Sequence, residues 1–177
     1  ADASGMMVSF IQSNYAGFGS GVVVPGTGVA LQNRGAGFTL EDGHPNQVGP
    51  GKRPFHTIIP GFLMGPDGPL MSFGVMGGQM QAQGHMQMVL RTQLWGQDVQ
   101  MAADAPRWRF MEGLKVACES TMPEATVKAL RDMGHDITIE ALDQAFGFGG
   151  AQLIHRLPGS GYAGGSDPRK DGAALGL

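Results

Sequence analysis

Glycine and proline constrain this chain more than any other residues, because its 177 positions contain 30 glycines and 11 prolines. Both residue types interrupt helices and favour turns. Apolar runs nevertheless recur, as at residues 57–64, and the net charge is only -3, so a folded chain is favoured over a disordered one. The sequence therefore predicts short strands and helices joined by many turns.

Charged residues are scarce, at 15% of the chain against roughly 25% in an ordinary soluble domain. A surface so poor in charge indicates that another chain covers part of it. The sequence has no run of basic residues, and we expect no nucleic-acid partner. It also has no stretch of about 18 apolar residues, and we expect no membrane partner.

Cysteine and histidine give little sign of a metal site or of an oxidising compartment. Cys118 is the single cysteine, which excludes a disulfide within the chain. The histidines lack the short spacing that metal ligands need, so we predict no metal. We also predict no other cofactor. These histidines are His44, His56, His85, His135 and His155. We predict a cytoplasmic location, with a periplasmic or secreted one as the alternative.

Local patterns predict a mixed α+β piece with mainly antiparallel strands, within one domain spanning residues 1–177. Strands are predicted at 6–12, 57–64, 70–75, 108–111, 114–118, 136–140, 151–157 and 162–164, and helices at 79–95, 99–103 and 123–133. In the last helix, Thr121 is the candidate N-cap and Gly134 the stop. Residues 65–69 read as a tight turn between two strands.

The strongest chemical pattern is a strand followed by Gly77-Gly78 and a helix. Glycines at such a junction let the backbone approach a ligand, and the first turn of a helix offers free N–H groups to an anion. In acyl transfer this arrangement can form an oxyanion hole. A tight turn without any catalytic role remains the alternative for this local sequence.

No residue within the chain stands out as a nucleophile. Ser160 lies between two glycines without the spacing of the hydrolase elbow, so we interpret it as a turn residue. Cys118 falls in a predicted strand and reads as a packed thiol. Asp167 and Arg169 flank a proline and are interpreted as structural.

Four motifs in order resemble the γ-glutamyltranspeptidases. They are NQVGPGKRP (46–54), GxxGG (74–78), DAPR (104–107) and GSDPR (165–169). The resemblance covers almost the whole chain, which is similar to the C-terminal small subunit of that family and in particular to its γ-glutamyltranspeptidase-like and cephalosporin-acylase-like bacterial branch.

The resemblance implies the α+β fold of the N-terminal-nucleophile hydrolases, a four-layer αββα sandwich completed by a separate large subunit. Family precursors cut themselves before a Thr, whose hydroxyl then acts as nucleophile and whose α-amino group acts as base. By this resemblance the nucleophilic Thr lies about six residues before Ala1, so the start of the subunit is expected to be missing here.

The resemblance also assigns roles to individual residues. Gly77 and Gly78 match the glycines of the oxyanion hole. Ser13 lies where the family has a Thr whose hydroxyl supports the nucleophile. His56 and Thr57 match paired serines that hold the substrate's α-carboxylate.

Three further positions bear on the acyl group of the substrate. Asn33 keeps a family Asn, whereas Arg34 replaces a Gln. Gly37 lies where the family has the Asp that pairs with the γ-glutamyl α-ammonium group, and losing such a charge-assisted bond typically costs about 1.5–3 kcal/mol. Arg34 without that Asp favours an acyl group that carries a carboxylate, such as glutaryl.

The leading interpretation is therefore the small subunit of a γ-glutamyltranspeptidase-like amide hydrolase or acyltransferase working through an acyl-enzyme. Its expected partners are the large subunit of the same precursor and a small γ-glutamyl or dicarboxylic acyl amide, with a higher oligomer of the heterodimer left open. One alternative is a cephalosporin or glutaryl acylase with the same mechanism. The other is a homologue that has lost processing and acts as a binding protein.

Overall fold

The structure is a computed structural model that describes residues 1–141 and 147–176. It separates into two compact units. Unit 1 comprises Ala1–Ser9 and Pro60–Leu177, and unit 2 comprises Phe10–Ile59. The prediction that residues 1–177 belong to one domain stays a prediction, and each unit is described by itself.

Unit 1 contains the strands and α-helices of the described chain. In order they are β1 (Gly61–Gly65), β2 (Gly68–Met76), α1 (Met80–Val89), α2 (Val99–Asp104), β3 (Trp108–Glu112), β4 (Lys115–Glu119), α3 (Glu124–Asp132), β5 (Asp136–Glu140), β6 (Gly150–Arg156) and β7 (Tyr162–Ser166). A π-helical turn, Leu90–Leu94, extends α1. All these elements were expected from the sequence, within a few residues at their ends.

The strands form two sheets. The order in the first is β1-β2-β6-β7, with every pair antiparallel. The order in the second is β3-β4-β5, in which β4 and β5 are parallel because α3 connects them as a crossover. The predicted α+β class with mainly antiparallel strands is confirmed.

The larger core lies where α1 and α2 pack on the first sheet. Its buried side chains are Met71, Phe73, Val75, Met88, Val99, Ala102, Ala103, Ala151 and Leu153. Gly84 allows α1 to approach β2 closely, since a Cβ at this position would lie 2.6 Å from Cγ1 of Val75. The glycine that weakens the helix locally thus lets it pack on the sheet.

The second sheet has its own small core against α3, made by Val116, Cys118, Val127 and Ile137. The helix ends as expected at Gly134, whose φ is 96°. The Thr121 N-cap prediction is wrong: Pro123 takes the cap position, with φ -54° and ψ 131°. A proline has its φ fixed by the ring and here keeps an extended ψ, so the helix begins directly after it.

Two glutamines of α1 bond to the backbone of the edge strand β3. The side-chain amide of Gln87 donates to the Trp108 carbonyl at 2.8 Å and accepts from its N–H at 3.3 Å. Gln83 accepts from the Phe110 N–H at 2.6 Å. Because these amides satisfy the edge as a neighbouring strand would, they fix α1 against the second sheet.

A buried ion cluster joins residues around the ends of α2, β4 and β7. The Arg107 and Asp167 side chains are both 0% exposed and meet at 2.5 Å. Arg169 donates to both carboxylate oxygens of Glu119, each at 2.5 Å. Burial by itself raises the pKa of Asp167, but the Arg107 guanidinium and the Ala151 N–H outweigh it, so the net pKa lies below its usual value. The structural interpretation of Asp167 and Arg169 is confirmed.

Two further expectations concern residues of unit 1. Ser160 lies in a turn, as predicted. Cys118 is a buried free thiol whose pKa is raised by burial. Across residues 1–141 and 147–176 no helix is long and apolar enough to cross a membrane, and no three metal-ligating side chains form a cluster.

Unit 2 consists mainly of turns. Residues 22–31 form a short hairpin held by backbone bonds from Val24 to Val29 and from Leu31 to Val22, each 2.9 Å. Arg34–Gly37 is a single 3-10 turn. The strand predicted at 6–12, of which residues 6–9 belong to unit 1 and residues 10–12 to unit 2, is wrong. The segment contains apolar and β-branched residues, but it pairs with no described strand, and a strand needs a neighbour to satisfy its backbone.

Candidate active site

The junction between β2 and α1 exposes two backbone donors. The carbonyls of Gly77 and Gly78 accept from Met80 and Gln81 in the first turn of the helix, each at 3.1 Å. Among the described residues, no backbone or side-chain group accepts from the N–H groups of the two glycines. Such donors at the start of a helix suit a developing negative charge on oxygen.

Backbone conformation requires glycine at both positions. The φ of Gly77 is 138° and that of Gly78 is 59°, regions that L side chains rarely adopt. A Cβ on Gly77 would also lie 2.9 Å from Cα of Gly149, whereas one on Gly78 would meet none of the described residues within 4 Å. Gly77 is therefore fixed by packing as well as by φ.

Arg34 lies at the centre of the candidate site in unit 2. The residue is only 8% exposed. Its guanidinium donates to the Thr57 hydroxyl and, at 3.2 Å, to the Ser13 carbonyl. In the part of the chain that the structure describes, no carboxylate lies within salt-bridge distance of it. A buried cation without an anionic partner is costly, and it is typical of a site that receives an anionic ligand.

Ser13 and Asn33 both hold the backbone around Tyr15. The Ser13 hydroxyl accepts from the Tyr15 N–H at 2.9 Å, which leaves its own proton free to be donated elsewhere. The Asn33 side chain accepts from the Ala16 N–H at 3.1 Å. The Tyr15 ring then stacks over the Arg34 guanidinium at 5.5 Å.

His56 and Thr57 differ in what they contact, although the sequence resemblance treats them as a pair. Thr57 accepts from Arg34, so it belongs to the arginine cluster. His56 is exposed, and its Nδ1 accepts from the Ile58 N–H at 3.1 Å. The structure therefore joins Ser13, Arg34 and Thr57 directly, and His56 only through its neighbour in sequence.

Position 37 has room for a side chain. A Cβ on Gly37 would lie 3.9 Å from the Phe55 carbonyl oxygen, the Pro54 Cβ and the Tyr15 hydroxyl, and its φ is outside the left-handed region. Asn46 closes this loop by donating to the Gly37 carbonyl at 2.5 Å and accepting from the Phe55 N–H at 2.7 Å. A side-chain Cβ at position 37 is thus not excluded by the described neighbours.

Sequence reasoning missed Tyr15 and Asn46. Asn46 opens the longest of the motifs noted above, which could have indicated its role in the loop. Tyr15 has no local signal, because its importance comes from a ring contact with a residue 19 positions later and from a backbone φ of 77°. The roles assigned to the site residues stay predictions.

Comparison with known proteins gives the context for these two sites. A sequence model described as gamma-glutamyltranspeptidase matches residues 1–177. The oxamate amidohydrolase proenzyme of Klebsiella pneumoniae is 41% identical over 99% of this chain. The glutathione hydrolase-like YwrD proenzyme of Bacillus subtilis is 37% identical over 99%.

Solved structures agree with the sequence relatives. The crystal structure of a cephalosporin acylase from Bacillus halodurans is 54% identical, with a TM-score of 0.86 over 92% of this chain and 30% of that one. A gamma-glutamyltranspeptidase from Pseudomonas nitroreducens, complexed with L-DON, is 22% identical and shares the fold with a TM-score of 0.84 over 99% of this chain and 96% of that one. The predicted N-terminal-nucleophile hydrolase αββα fold class is confirmed.

The chain spans about a third of the length of the curated relatives it matches, since it covers 34% of each of the two named above. Its match to the family is nevertheless continuous from residue 1 to residue 177. The chain belongs to the gamma-glutamyltranspeptidase family.

Proposed function

We propose that this chain is the small subunit of an N-terminal-threonine amide hydrolase that prefers acyl groups carrying a carboxylate but no α-ammonium group, such as glutaryl. The nucleophile is a Thr about six residues before Ala1, exposed by self-cleavage of a precursor. The large subunit from the same precursor is the partner chain. The proenzyme names of the two curated relatives support a processed precursor.

In the proposed reaction the Thr hydroxyl adds to the amide carbonyl while the α-amino group takes its proton. The N–H groups of Gly77 and Gly78 stabilise the resulting oxyanion. Collapse of the intermediate breaks the C–N bond, and the leaving amine takes up the proton. Water then cleaves the acyl-enzyme ester to a carboxylic acid, or a second amine accepts the acyl group instead.

One observation carries the preference for a carboxylate on the acyl group: Arg34 is buried without a carboxylate partner among the described residues. Its contacts with the Thr57 hydroxyl and the Ser13 carbonyl hold the guanidinium without neutralising it. A substrate carboxylate supplies the missing charge through hydrogen bonds that are stronger than neutral ones.

A γ-glutamyl donor is the second candidate, and the name of the YwrD relative favours it. Position 37 argues against it, because a glycine offers no carboxylate to the α-ammonium group. The names of two other similar proteins refer to oxamate and to cephalosporin, so names alone do not select one donor.

The test compares glutaryl-p-nitroanilide with γ-glutamyl-p-nitroanilide in the whole processed protein. The two donors have the same chain length, leaving group and terminal carboxylate, and the glutaryl donor lacks only the α-ammonium group. We expect the higher kcat/KM for glutaryl. A strong γ-glutamyl preference contradicts the proposed specificity. An uncut chain with neither activity supports the binding-protein alternative instead.

A further inference from the structure

Tyr15 has the most unusual backbone in unit 2. With φ at 77°, it is the one non-glycine residue in the left-handed region among the residues described. A bulky aromatic residue is an outlier there. Such conformations persist only where the surrounding structure enforces them, and they cluster at functional sites.

Two side chains enforce this conformation. The Ser13 hydroxyl accepts from the Tyr15 N–H, and the Asn33 amide accepts from the N–H of the next residue. Asn33 is bonded in turn through its own N–H to the Asn14 carbonyl at 3.1 Å. The tyrosine is thus held in place by neighbours on both sides of the loop.

The strained backbone directs the ring to the arginine of the acyl site. The ring covers the Arg34 guanidinium at 5.5 Å, while 40% of the tyrosine stays exposed. Its hydroxyl reaches toward position 37, where a Cβ would lie 3.9 Å from it. The hydroxyl makes no hydrogen bond to any group in residues 1–141 or 147–176.

We propose that Tyr15 is a specificity-determining residue, which binds the acyl carboxylate together with Arg34; this rests on the proposed function. The ring covers one face of the guanidinium, so a carboxylate approaches the arginine along its edge. The phenol then donates a hydrogen bond to the same carboxylate. Because a hydroxyl, unlike an aspartate, carries no negative charge, it does not form an ion pair with the ammonium group of a γ-glutamyl donor.

Tyr15→Phe tests this in the whole processed protein, because it keeps the ring and removes only the hydroxyl. The donors are glutaryl-p-nitroanilide and pentanoyl-p-nitroanilide, which have the same number of carbons and differ in the terminal carboxylate. We expect KM for the glutaryl donor to rise about tenfold with kcat little changed. Kinetics with the pentanoyl donor should stay within about twofold of wild type.

Arg34→Met provides the second variant. It should remove most of the preference for glutaryl over pentanoyl, and adding Tyr15→Phe to it should cost little more, because both groups bind one carboxylate. Unchanged glutaryl kinetics in Tyr15→Phe, or an equal loss with both donors, overturns the role of Tyr15 alone. A wild-type protein without any preference for glutaryl over pentanoyl overturns the proposed function and this inference with it.

Discussion

Replacing Gly37 by Asp should turn the substrate preference from glutaryl toward γ-glutamyl donors. The site has room for the new Cβ, which would lie 3.9 Å from its nearest described neighbours, an ordinary van der Waals distance. The backbone there is outside the left-handed region, so no strain is added. The substitution therefore alters charge with little effect on packing.

The magnitude follows from two effects with the same sign. A carboxylate that bonds the α-ammonium group is worth about 1.5–3 kcal/mol, or about tenfold to 150-fold in relative kcat/KM. Positions 34 and 37 are also three apart in a 3-10 turn, where side chains at this spacing lie one above the other. The new carboxylate thus weakens the attraction of Arg34 for a glutaryl carboxylate.

The assay measures kcat/KM for the glutaryl and γ-glutamyl p-nitroanilides in Gly37→Asp and in Gly35→Asp. Gly35 belongs to the same turn and is exposed, and an added Cβ there would have no described residue within 4 Å, so Gly35→Asp controls for a new charge nearby. We expect the donor ratio to shift only in Gly37→Asp. An unchanged ratio, or an equal shift in both variants, would refute the reasoning.

Three other predictions concern the buried ion pair and the glycine junction before α1. Asp167→Asn leaves its buried arginine partner uncompensated and should cost about 3–5 kcal/mol, seen as a lower Tm, whereas Asp132→Asn in an exposed pair should cost under about 1 kcal/mol. Since the pKa of Asp167 is lowered on folding, the ionised carboxylate stabilises the folded state fully above the ordinary carboxyl pKa of about 3.9, and this contribution is lost as the pH falls from there. Asp167→Asn should therefore flatten the dependence of Tm on pH below about pH 4. The same fall of Tm with pH in the variant and the wild type contradicts this. Gly77→Ala should lower kcat by about a hundredfold or more and reduce Tm, because the added Cβ meets Gly149. Gly78→Ala should have smaller effects on both kcat and Tm. Equal effects of the two variants contradict the packing argument.

The sequence by itself determined most of the local structure. The helix that ends at Gly134 and the turn at 65–69 follow from residues within a few positions of each other, and both appear as predicted. The same holds for the glycine junction before α1. These features depend on backbone preferences and hydrophobic periodicity, which are visible in a short stretch of chain.

Pairing and charge balance were decided only by the tertiary structure. Residues 6–12 have the composition of a strand but no strand partner among the described residues, and composition does not reveal this. The partners of Arg34 are 21 and 23 positions away in sequence, and Arg107 meets Asp167 across 60. The residue type of Arg34 by itself predicts a group that binds a carboxylate. Long-range packing decides the rest: the burial of Arg34, the absence of an anionic neighbour in the described chain and the ring of Tyr15 over the guanidinium. No local sequence pattern encodes these features.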